Sequence, residues 1–207
     1  MRAVEFLTEG SKHPVIVVDV QPEYCGINDG DENSVCTEII DFVGRQTGPV
    51  LMFVNAEDQG LSGDTVRDIM TYWEDSGFEH KNWGRVKIVD KGYGYFRSWM
   101  DRGEDPAAII KVIREMYRQK VSDSRELFGG EDSPEYATKM QELAGHAFRE
   151  FDLDDPLTVN WTSVAQLKQF NGAYIVGGGR NECLREVELL MNAFNIRYKR
   201  IDSLVYG

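Results

Sequence analysis

The chain has 207 residues, 42% of them hydrophobic and 28% charged, with 35 acids against 23 bases and a net charge of −12. This is the size and make-up of one globular domain, large enough to bury a core without disulfide staples. No run of about 18 apolar residues occurs, so no membrane partner is expected. The acidic balance argues against nucleic acid too, because a phosphate-binding surface needs clustered Lys and Arg. The opening MRAVEFLTEGSKHP carries two acids and lacks the apolar stretch of a secretory leader. The three cysteines, Cys25, Cys36 and Cys183, are odd in number and irregularly spaced. They read as reduced thiols of a cytoplasmic protein, without a disulfide framework. His13, His80 and His146 form no ligand cluster, so no metal or other cofactor is expected.

In chain order, the first element is a β-branched run from Pro14 to Val20 around Asp19, the pattern of a strand covered on both faces. A helix over 34–46 follows, with Gly48 just beyond its end. Pro49–Val54 is a second buried strand. A helix with Asp64 as N-cap then carries Val66, Ile69, Met70 and Trp73 at helical spacing, with Gly77 beyond its end. Arg85–Asp90 and Ala173–Val176 are the third and fourth strands, and Arg197–Ile201 reads as the fifth. The fourth runs through three glycines into a helix led by Cys183. Strands alternating with helices predict a three-layer αβα fold on a mostly parallel, Rossmann-like sheet. Residues 101–155, between strands three and four, hold 14 acids and 8 bases and show helical periodicity over 107–119 and 136–151. They read as an acidic helical insertion in a single α/β domain covering 1–207. The apolar faces of its helices need covering, either by the α/β domain or by a second copy of the chain in a homo-oligomer.

Ligands of open α/β sheets bind at the carboxyl ends of the strands. Those ends carry Asp19 and Gln21, then Asn55, Glu57 and Asp58, then Asp90 and Lys91, then Gly177 to Cys183. A carboxylate inside an apolar strand is costly unless paired, and Lys91 would pair with Asp19. Cys183 opens a helix after a glycine-rich turn, where the helix dipole favours a thiolate and backbone N–H groups can hold an oxyanion. Cys25 and Cys36 have no such setting and read as structural.

Three segments resemble the isochorismatase-like cysteine hydrolase family, which includes nicotinamidases and N-carbamoyl amidases. Val17–Gln21 (VVDVQ) looks like its first strand, Val89–Phe96 (VDKGYGYF) like the strand delivering its lysine, and Val176–Cys183 (VGGGRNEC) like its nucleophile turn. The resemblance implies a catalytic triad of Asp19, Lys91 and Cys183. It also implies oxyanion-binding N–H groups at Gly179 and Cys183 and a cis peptide at Gly178–Gly179. The expected activity is metal-independent hydrolysis of a small amide or carbamoyl compound. The nicotinamidase metal motif after strand two has no counterpart in Asn55–Asp58, which lacks histidine. Two other readings stay open. Asp19, Glu57 or Asp58, Glu182 and Asp202 would suit a Mg²⁺- or Mn²⁺-dependent nuclease or phosphohydrolase of the PIN-like kind. A non-catalytic interaction protein on the same scaffold is the other.

Overall fold

The computed structural model describes residues 12–25, 31–55, 64–91, 96–148 and 156–207. Five parallel strands form one sheet in the order β3-β2-β1-β4-β5: β1 Val15–Val18, β2 Val50–Val54, β3 Val86–Asp90, β4 Ala173–Gly177 and β5 Tyr198–Val205. Helices flank this sheet on a three-layer α/β plan, as the alternating pattern predicts. Among the described residues no helix is long and apolar enough to cross a membrane.

The chain divides into two compact units: one made of 1–93, 169–185 and 197–207, the other of 94–168 and 186–196. The sheet lies in the first unit. β1 pairs with β2 through Val15↔Val50 to Val18↔Phe53, and with β4 through Val15↔Tyr174 to Val18↔Gly177. Every residue of β1 and β2 is buried, which explains their unbroken apolar sequence. Val15, Val17, Val50, Met52, Val54 and Val176 meet α2 (Asp31–Arg45) and α3 (Val66–Asp75) in one core, filled by Ile39, Phe42, Ile69 and Trp73. The short α1 (Pro22–Cys25) follows β1 directly.

Local details correct the sequence reading. Thr65, not Asp64, caps α3: its hydroxyl accepts from the Asp68 N–H, while the Asp68 carboxylate accepts from the Thr65 N–H. Cys25 and Cys36 are joined in a disulfide that ties α1 to α2, contrary to the expectation of reduced thiols. Their Cα atoms lie 6.1 Å apart, within the span of a disulfide. The bridge removes the odd cysteine count as a ground for a reducing compartment.

The second unit is helical. It comprises α4 (Arg97–Asp101), α5 (Pro106–Gln119), α6 (Tyr136–Ala144), α7 (Trp161–Leu167) and the rear of α8 (Cys183–Ala193). The helical segment is therefore wider than the expected 101–155. Asn160 caps α7 by accepting from the Thr162 and Ser163 N–H groups, which carries the helices on to Leu167. Arg114 of α5 donates to the carbonyl of Ala193, and Tyr117, Trp161 and Phe194 stack edge to face around Lys168. The helix expected over 136–151 ends at Ala144, because Gly145 turns the backbone to φ 58°. Of the aromatics assigned to the insertion's apolar faces, Tyr117 is largely exposed and Phe148 meets Tyr136, while Phe151 lies outside the described residues.

Candidate active site

The strand order reverses between β1 and β4, and this switch point is where ligands of parallel sheets settle. Asp19 lies just beyond β1, and the turn Gly177–Cys183 just beyond β4. Lys91 follows β3, its N–H donating to the Val54 carbonyl at 2.9 Å. From there its Nζ reaches to 3.2 Å from Asp19 Oδ2. Both side chains are almost fully enclosed, at 2% and 3% exposure. Cys183 is half-buried, and its thiol comes within hydrogen-bonding reach of the Asp19 carboxylate. The three residues expected to act together thus share one site.

Two forces oppose each other on Asp19. Burial pushes its carboxyl above the usual aspartate value, and the nearby charge of Glu182 adds to this. The Lys91 charge and the Cys183 thiol pull it back without cancelling the effect. Neither carboxylate oxygen makes a hydrogen bond of regular geometry, so the Lys91 contact acts mainly through charge. A carboxyl held above its ordinary range is a better proton acceptor once ionised.

The backbone of Asp19 is held in place. Its φ is 54°, in the left-handed region that side-chain-bearing residues seldom occupy. Three hydrogen bonds fix it there: its N–H donates to the Phe53 carbonyl at 2.9 Å, and its carbonyl accepts from the Gln21 N–H at 3.0 Å and the Tyr206 hydroxyl at 2.6 Å. Gln21 clamps the next strand. Its side-chain amide donates to the Asn55 carbonyl and accepts from the Asn55 N–H, both at 2.9 Å, extending the β1–β2 ladder. Its Nε2 also lies 3.2 Å from Asp64 Oδ2, which accepts from the Glu23 N–H at 2.7 Å. The Asn55 side chain donates to Tyr24, whose half-buried phenol has its pKa pushed up to about 12, mainly by burial.

Glycine is required beside Asp19 and in the turn. A Cβ on Gly177, where φ is 119°, would lie 2.0 Å from the Val18 carbonyl oxygen, and one on Gly178 would strike the Tyr206 ring at 2.1 Å. The expected cis bond at Gly178–Gly179 is absent: that bond is trans, and the Gly179 carbonyl accepts from the Glu182 and Leu184 N–H groups at the start of α8. Glu182 folds back over the turn, its Oε2 about 3.0 Å from where a Gly179 side chain would begin.

Of the other strand-end acids, Glu182 acts on Asp19 through its charge. Asp202 is mostly exposed and paired with Arg200. Glu57 and Asp58 lie outside the described residues. Among the described residues no three His, Cys, Asp or Glu side chains form a metal-binding group. Tyr206 escaped the sequence reading, although the apolar run Leu204–Tyr206 signals that β5 continues past Ile201. Removing its hydroxyl in Tyr206→Phe should cost about 1 kcal/mol in urea unfolding. It should also slow alkylation of Cys183, because the Asp19 backbone loses one tether. Unaltered alkylation would confine Tyr206 to a structural role.

No protein-family profile matches the chain, and neither a curated protein nor a solved structure matches it.

Proposed function

We propose that the chain is a cysteine hydrolase of the isochorismatase-like kind, acting on a small amide, carbamoyl or related carbonyl compound. The observation that carries this reading is the meeting of the Cys183 thiol, the Asp19 carboxylate and the Lys91 ammonium at the switch point of the sheet. Asp19 takes the thiol proton as Cys183 Sγ attacks the carbonyl carbon. The proton passes to the leaving nitrogen as the C–N bond breaks, leaving a thioester. Water then attacks the thioester, giving its proton to Asp19. That proton returns to sulfur as the acid departs. Lys91 holds the carboxylate in place throughout. The N–H groups of Gly179 and Cys183, at the entry to α8, are the donors assigned to the oxyanion.

What supports this chemistry over the nuclease reading is that the Asp19 carboxylate, which a metal ion would need as a ligand, is already paired with Lys91. Screening small primary amides and N-carbamoyl compounds for ammonia release tests the proposal. Turnover should survive EDTA and fall by at least about 10³-fold in Cys183→Ser, the order of loss for an essential catalytic group. Phosphodiester cleavage that EDTA abolishes, Mn²⁺ restores and Cys183→Ser leaves intact would overturn it in favour of the nuclease. The cytoplasmic assignment belongs to this proposal and is checked by finding whether the Cys25–Cys36 pair is oxidised in protein taken directly from cells.

A further inference from the structure

A cavity of about 400 Å³ opens on the first unit, between the end of α2 and the turn that leads from α3 into β3. α2 ends just before β2, and that turn just before β3, so the cavity lies at the amino ends of the strands. Asp19, Lys91 and Cys183 belong to the opposite, carboxyl-end edge. The frame of the cavity is fixed: Arg85, which precedes β3, donates to the carbonyls of Val43 and Gly48 at 2.7 and 3.0 Å and so ties the end of α2 to the third strand. Ile40, Gly44 and Gly77 supply carbon surface to its wall. Gly44 sits in the last turns of α2, where glycine weakens a helix relative to alanine. Packing does not demand it, since an added Cβ would meet Phe78 Cδ2 at an ordinary 3.8 Å. What the glycine does is leave the wall open. Gln46, just beyond α2, also lines the cavity and is only 3% exposed. Its Nε2 lies 3.5 Å from the Phe42 carbonyl, and its Oε1 has no hydrogen-bond partner among the described residues. A buried amide oxygen without a donor is costly. The rim carries both signs: Asp41 is paired with Arg45 at 2.9 Å, and Glu79 with Lys81, all four side chains being exposed.

We propose that this cavity binds a small zwitterion of the α-amino-acid kind. Its ammonium donates to Gln46 Oε1 beside the rim acids, and its carboxylate is received by Arg45 or Lys81. The long 3.5 Å contact holds the Gln46 amide loosely, so a small rotation presents its oxygen to the ligand. An apolar molecule would leave that oxygen unpaired. An anion that takes Arg45 strips Asp41 of its partner, and a cation that takes Asp41 strips Arg45, whereas a zwitterion replaces both partners at once. Exposed ion pairs are weak, so exchanging them for a ligand costs little. The volume falls at the small end of the range of ligand sites, about 300–1,000 Å³, as a single amino acid requires. The inference is independent of the hydrolase reading, whose residues lie at the other edge of the sheet.

The test is saturation-transfer NMR together with thermal unfolding of the full chain, with each proteinogenic L-amino acid in turn. At least one should bind saturably with a Kd of about 1 mM or tighter and raise the unfolding temperature. The N-acetyl and the carboxamide derivatives of that amino acid, each lacking one charge, should bind at least about tenfold more weakly. Gln46→Met should weaken binding at least about tenfold without lowering the stability of the free chain, because an unpaired buried oxygen goes with the side chain. Gly44→Leu should abolish binding by filling the cavity, and Cys183→Ser should leave it unchanged. Thermal unfolding shows that each variant is folded. The proposal is overturned by an absence of binding for every amino acid at about 10 mM, or by binding indifferent to the loss of either charge. Binding that Gln46→Met and Gly44→Leu both retain, or that Cys183→Ser removes, overturns it as well and leaves the hydrolase reading standing.

Discussion

Replacing Lys91 with methionine should lower the unfolding free energy at neutral pH by about 3–5 kcal/mol, the usual cost of removing one partner of a buried ion pair. The side chain is nearly isosteric, so the loss reports charge rather than volume. Asp19 would be left as an enclosed carboxylate without its cation. The pH dependence follows from the direction of its shift. The folded-state value is raised above the ordinary 3.8, so the folded chain holds the proton more tightly than the unfolded chain. Stability therefore falls as pH rises from the unfolded value to the folded one, then levels off. Without Lys91 the folded value climbs further and the falling window widens. The deficit of Lys91→Met should accordingly be small near pH 4 and full near pH 7.5. Asp19→Asn combined with Lys91→Met should recover a large part of it. A deficit that is the same at both pH values, or unrelieved in the double variant, would mean that the pair is not electrostatically coupled.

The second large effect is expected at Gly177. Alanine there places a methyl group 2.0 Å from the Val18 carbonyl oxygen while φ stays at 119°. Both the contact and the backbone conformation are unfavourable, and relief requires β4 to move away from β1. A loss of about 3 kcal/mol or more is expected in chemical denaturation. Gly172→Ala separates the two causes: φ there is 86°, but nothing lies within 4 Å of the added methyl. That control should lose only about 1–2 kcal/mol. Because Val18 immediately precedes Asp19, Gly177→Ala should also slow Cys183 modification, which Gly172→Ala should not. Equal losses in the two variants would show that conformation alone decides, and that β4 does not press on β1.

Some of this architecture is written plainly in the sequence. β-Branched runs such as Val15–Val18 can be satisfied only by a strand buried on both faces, and parallel strands direct their carboxyl ends to one edge. Hence Asp19, Lys91 and Cys183, far apart in the chain, were legible as neighbours. Other features depend on tertiary contacts that have no local signature. The Tyr206 hydroxyl finds the Asp19 carbonyl 187 residues away, and only the register of β5 brings it there. The Cys25–Cys36 bridge depends on how α1 and α2 meet, which spacing alone does not specify. The trans bond at Gly178–Gly179 has no signature in a run of three glycines. Gly145 was visible, but apolar periodicity continued past it. A glycine costs a helix only about 1 kcal/mol, too little to overrule that pattern from sequence alone.

The most direct measurement is the pH dependence of Cys183 alkylation by iodoacetamide, followed by mass spectrometry in the parent chain, Asp19→Asn and Lys91→Met. If Asp19 and Lys91 activate the thiol, the parent chain should react at pH 6.5 at least about tenfold faster than a simple thiol of pKa about 8.5. Both variants should lose most of that advantage. A parent chain that follows the simple thiol across the whole pH range, with both variants unchanged, would contradict the assignment of Cys183 as the nucleophile.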